Sequence, residues 1–120
     1  MTNYIWITTQ KEMIHKYPDA PDDVAFLKNE HRHLFKFKVW LEVFHNDRDV
    51  EFIMFKRDIQ LFIDTLNDNL QEKSCEMISN TIAKNVQEYY AGRDIKIEVS
   101  EDGENGSEYY YSKAQSLNTD

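Results

Sequence analysis

The stretch HRHLFKFKVWLEVF, residues 31–44, alternates with a period of two. Phe35, Phe37, Val39, Leu41 and Val43 share one parity, and Lys36, Lys38, Trp40 and Glu42 share the other. Successive side chains of a strand point to opposite faces, so the pattern describes a strand whose odd-numbered face is core and whose even-numbered face is wet. His31 and His33 open the odd series, and an extended backbone turns both imidazoles to the side of Phe35 and Phe37.

Past this strand, His45, Asn46, Asp47 and Arg48 supply turn chemistry, and Val50–Met54 reads as a second short strand closing a hairpin. Phe55, Ile59, Phe62, Ile63, Leu66 and Leu70 then recur at helical spacing, which predicts a helix ending near Leu70. Ser74 is a predicted N-cap for a second helix, with Glu76 in its first turn and a stripe of Cys75, Ile78, Ile82, Val86 and Tyr89 or Tyr90. Gly92 stands where a left-handed C-terminal cap is expected. Ile95, Ile97 and Val99 alternate as another strand, and Glu101 keeps their parity. Residues 102–106 form a turn, Ser107–Ser112 an aromatic returning strand, and residues 114–120 a polar tail.

Before the pivotal strand, Tyr4–Thr9 reads as a short strand. Gln10–Glu30 loses its period and reads as a long connection, with a short helical turn near Asp22–Lys28. The expected fold is α+β: one domain over residues 1–113, in the order strand, strand, helix, helix, strand, strand, with an antiparallel sheet and both helices on one face.

The 120 residues carry 14 basic and 22 acidic side chains, a net charge of −8, with 41% hydrophobic and 13% aromatic residues. That composition belongs to a folded chain, and the acidic excess argues against nucleic acid as a partner, since tracking phosphates needs surplus Lys and Arg. Half of the net charge, −4, lies in residues 101–120, so a pocket near Arg32, Lys36 and Lys38 can still be locally basic. A single cysteine, no basic-then-apolar leader and no apolar run near 20 residues long predict a reducing, cytoplasmic setting without membrane insertion. A chain this short encloses no deep private cavity, so a sizeable pocket is expected between subunits.

The candidate chemistry centres on histidine. His31 and His33 suit a metal site, with His15 folding back as third ligand; three His with an open fourth position is a catalytic zinc arrangement. The bland alternative makes one a loop cap and the other a satisfied polar residue at a strand end. Glu101 either ends a buried face and needs donors, such as the ring N–H groups of a pterin or guanine, or is solvated past the strand end. Cys75 is a core residue, or else a thiol whose pKa the helix N-terminus lowers. His45 is either a turn residue or a reserve proton carrier.

The element order, the H-x-H entering the second strand and the Glu ending the third resemble the tunnelling-fold family of 6-pyruvoyl and 6-carboxytetrahydropterin synthases, over roughly residues 4–112. The resemblance implies sheets joined into a homo-oligomeric barrel, a tetramer or hexamer, with a pterin- or purine-like ligand at subunit interfaces. It implies zinc on His15, His31 and His33, Glu101 as anchor of the ligand ring, and Ser74 and Glu76 at the opening of the second helix as ligand-binding residues. Departures fall on the catalytic set. Leu27 stands where the family has its Cys, and Leu66, Asn67 and Asp68 stand where it has Leu-Asp-His. Asp68, His45 and Cys75 are the substitutes that lyase chemistry would then require. The stretches 31–37, 45–52, 74–76 and 100–106 also look like a branch of the family found in phage and bacterial genomes, which brings no activity to carry over. Two expectations follow: a zinc-dependent pterin-type lyase with an altered proton relay, or a non-catalytic oligomer that sequesters or senses a purine-like nucleotide. A third is a structural protein whose histidines are incidental.

Overall fold

The computed structural model describes residues 2–66 and 72–114. Four strands, β1 (Asn3–His15), β2 (His31–Val43), β3 (Ile95–Glu101) and β4 (Asn105–Tyr111), form one antiparallel sheet in the order β1-β2-β3-β4. Two helices, α1 (Phe52–Leu66) and α2 (Cys75–Tyr89), connect β2 to β3, and a 3-10 segment, Asp22–Lys28, lies in the β1–β2 connection. The described residues are therefore α+β, with a four-stranded antiparallel sheet and three helical segments. No helix among the described residues is long and apolar enough to cross a membrane.

The odd face of β2 is the core face. Phe35, Phe37, Val39 and Leu41 are buried, as are Ile95, Ile97 and Val99 beside them on β3. Against this surface α1 sets Phe55, Ile59 and Ile63, and α2 sets Cys75, Ile78, Ile82, Ala83 and Val86. The stripe of α2 closes with Tyr90, which packs edge-on against Phe55, while Tyr89 is exposed. Ser74 caps α2 by accepting from Met77 N at 3.1 Å, and Gly92 takes the left-handed conformation at φ +79°. Gly106 faces Ser100 across the β3–β4 ladder so closely that a Cβ would stand 2.6 Å from Ser100 Cα.

Two expectations are overturned. The first strand runs to His15, so residues 10–15 are sheet and only residues 16–30 connect. Gln10, Lys11 and Glu12 interrupt the apolar alternation, but all thirteen residues of β1 pair with β2, from Asn3↔Val43 to His15↔His31. The ladder to a long partner extends the strand where hydrophobicity does not. The second correction concerns Val50–Met54, which is not a strand. Glu51 accepts from Met54 N at 2.9 Å, capping a helix that begins at Phe52, and Asp49 holds the preceding loop by accepting from Phe44 N and from Arg93. The predicted helix end near Leu70 and the tail beyond 114 lie outside the described residues.

Candidate metal centre

The β1–β2 register builds the site. His15 and His31 are direct cross-strand partners, where side chains on one face stand closest, and His33 is the next residue of the same face along β2. β3 runs antiparallel on the other side of β2 and places Glu101 opposite Phe35. Three strand ends thus bring His15, His31, His33 and Glu101 together at one end of the sheet. The three imidazole centroids lie 5.4, 4.6 and 6.4 Å apart. Imidazoles sharing one tetrahedral zinc, with Zn–N near 2 Å, have centroids about 5 Å apart.

Outer hydrogen bonds define two of the rings. His15 Nε2 lies 2.7 Å from the Lys73 carbonyl oxygen, and His31 Nδ1 lies 2.9 Å from the Asn29 carbonyl oxygen. A carbonyl can only accept, so each of those nitrogens carries the proton. The remaining nitrogens, His15 Nδ1 and His31 Nε2, face each other at 3.4 Å. In the neutral rings both present lone pairs, which repel unless a cation lies between them. Two nitrogens on one tetrahedral zinc are separated by about 3.4 Å, given Zn–N near 2 Å. Donor atoms of His15, His31 and Glu101 all fall within 4.8 Å of one another.

His33 is held differently. Its Nε2 lies 3.0 Å from Glu101 Oε2 and its Nδ1 2.7 Å from Asp102 Oδ2. Among the described residues the donor atoms that converge most closely are those of His15, His31 and Glu101, and His33 stands beside them with each ring nitrogen facing a carboxylate. Asp102 was not anticipated as part of the site. It occupies the left-handed region at φ +58° and exchanges hydrogen bonds with Leu34, donating from its N to Leu34 O at 2.7 Å and accepting from Leu34 N at Oδ1. The Leu34 N–H, then His33, hold its carboxyl below the usual range. The sequence signal was available: an Asp-Gly pair following a strand that must turn.

A cleft of about 450 Å³ opens beside the cluster, walled by His15, His31, Leu27, Ser74, Cys75 and Glu76, among others. Ser74 and Glu76 line the cleft, the Ser74 hydroxyl oxygen being engaged as the helix cap. Cys75 Sγ lies 4.0 Å from Glu101 Oε1. Burial, then the charges of Glu101 and Glu76, push its thiol up to about 11. Of the two readings of Cys75, the structure gives the core residue and not the thiol of lowered pKa, because desolvation and two nearby anions outweigh the dipole. His45 stands beyond the opposite end of β2 from His31 and His33. It accepts from Asp47 N at 3.2 Å as a turn residue, and within one chain it does not join the cluster. Asp68 lies outside the described residues. No protein-family model matches the chain, and no curated protein is significantly similar to it.

Proposed function

We propose that this chain is a zinc-binding protein of the tunnelling-fold type, with His15, His31 and His33 as metal ligands and Glu101 as anchor for a pterin- or guanine-like ligand at a subunit interface. The observation that carries the reading is the pair of ring nitrogens, His15 Nδ1 and His31 Nε2, facing each other at 3.4 Å while the other nitrogen of each ring lies against a main-chain carbonyl. Histidine ligands of metals characteristically donate their other ring N–H to such an acceptor. The nitrogen-rich donor set suits zinc, which when bound would polarise a substrate oxygen as a Lewis acid. Asp102 on His33 Nδ1 supplies the same kind of support to the third ring. Glu101 lies against the cleft; its Oε2 meets His33 Nε2 at 3.0 Å and its Oε1 the Cys75 thiol at 4.0 Å, so His33 must exchange Glu101 for the metal before both oxygens can take the ring N–H and exocyclic amine that such heterocycles present.

A specific observation favours binding without turnover. Leu27 lines the cleft where the family has its cysteine and cannot act as a base, and Cys75 is a neutral thiol at physiological pH, so no thiolate is supplied there and the titratable lining that remains beside the histidines includes the carboxylates Glu72, Glu76 and Glu101. A general base must be titratable and within reach of the substrate proton. The chain then acts as an oligomer that sequesters or senses its heterocycle.

Native mass spectrometry of the purified protein tests both readings at once. An oligomer carrying one zinc per chain and a co-purified purine- or pterin-like mass is expected; a metal-free monomer refutes the proposal. Turnover of 7,8-dihydroneopterin triphosphate would exclude the non-catalytic reading.

A further inference from the structure

We propose that Asp102 is the positioning residue of the metal centre, holding the His33 ring by its Nδ1 so that Nε2 is presented toward the cluster; this rests on the metal-site reading above. Asp102 is built to hold one orientation. Its Oδ2 meets His33 Nδ1 at 2.7 Å while its Oδ1 accepts from Leu34 N at 2.9 Å, so one carboxylate spans the ring and the backbone of the next residue. Its own N–H donates to Leu34 O, which closes a reciprocal clamp between the end of β3 and the start of β2. The left-handed backbone at φ +58° is what swings the side chain back over His33, and Asp and Asn are the non-glycine residues that adopt this region most readily.

The other two imidazoles are oriented by main-chain carbonyls, from Lys73 and Asn29. His33 alone is oriented by a side chain, and that side chain is an anion, which makes the imidazole a more basic ligand than a carbonyl would. Glu101, on the opposite nitrogen, contacts Nε2 itself and so cannot play this part. The division of labour is therefore between neighbours in sequence: Glu101 faces the cleft, and Asp102 fixes the ring.

Asp102→Asn separates this role from a structural one. Asparagine tolerates the same backbone and keeps an acceptor oxygen for Leu34 N, but its amide nitrogen cannot accept from His33 Nδ1. Zinc affinity of the full chain, measured by competition against a chromophoric chelator, is expected to fall about 10–100-fold in Asp102→Asn, with the metal-free thermal midpoint unchanged. Cobalt substitution should show altered ligand-field bands in the variant. Affinity within twofold of the parent, in a protein where His31→Ala abolishes binding, overturns the role of Asp102 and leaves the metal site standing. If the parent protein binds no zinc, or His31→Ala binds as well as the parent, the metal-site reading fails and Asp102 with it. A lowered midpoint that accounts for the lost affinity assigns Asp102 to the turn alone and likewise overturns the proposal.

Discussion

Replacing His31 with Ala tests the arrangement at its most demanding point. His31 is partly exposed at a strand end, so its removal leaves the buried core of Phe35, Phe37 and Ile97 intact. What it removes is one of two nitrogens that stand 3.4 Å apart, a spacing that zinc can bridge with no rearrangement of the pair. A ligand that binds only the folded state adds about 2.7 kcal/mol of stability when present at about one hundred times its Kd. For a domain of 120 residues, each kcal/mol moves the midpoint by roughly 3–5 °C, so saturation should raise it by about 10 °C. The assay is thermal unfolding followed by circular dichroism, first in chelator-treated buffer and then with zinc added. The parent should gain about 10 °C, and His31→Ala should gain almost nothing. An equal gain in both proteins would mean that zinc binds elsewhere. No gain in the parent would refute the metal site.

Further expectations concern neighbouring groups. Glu101→Gln should retain zinc while losing affinity for a guanine or pterin probe, whereas His33→Ala should lose zinc, as read by metal analysis after dialysis; the opposite pattern would make Glu101 the third metal ligand. Cys75 should react with iodoacetamide only slowly at neutral pH in the folded protein, because burial and the charges of Glu101 and Glu76 raise its thiol to about 11, and its rate should climb toward that pH. Phe37→Ala empties a fully packed position under the helices and should cost about 3–5 kcal/mol in chemical denaturation. Glu42 is buried at the far end of β2, where the Asp94 N–H and then Lys113 hold its carboxyl below the ordinary range. A lowered folded-state pKa stabilises above the unfolded value and is lost as pH falls through the folded one. Glu42→Gln should thus cost about 1–2 kcal/mol near neutrality, discounted for the half-exposed Lys113, and the two proteins should converge in strong acid.

Much of the sheet was legible because one face of each inner strand is buried. Phe35–Val43 and Ile95–Val99 carry uninterrupted alternation, and the cap at Ser74 and the turn at Gly92 are local chemistry that needs no distant partner. The last six residues of β1 were illegible for the converse reason: Gln10, Lys11 and Glu12 look like a loop until β2 lies beside them. Val50–Met54 failed because a short apolar run fits a strand or the first turn of a helix equally well, and the deciding contact, Glu51 to Met54 N, is a single capping bond.

The candidate site divides along the same line. Residue identity and parity were enough to single out His31, His33 and Glu101, since a period of two puts each on the core face of its own strand whatever the rest of the chain does. Their meeting was not implied by that periodicity. The register His15↔His31 is set by pairing across a 15-residue connection, and the antiparallel approach of β3 sets Glu101 beside them. The assignment of protons, and the choice of Asp102 rather than Glu101 to brace His33, depend on which oxygen lies within 3 Å of which ring nitrogen. Local periodicity determines the face a side chain occupies; only the ladder between distant strands determines what it meets there.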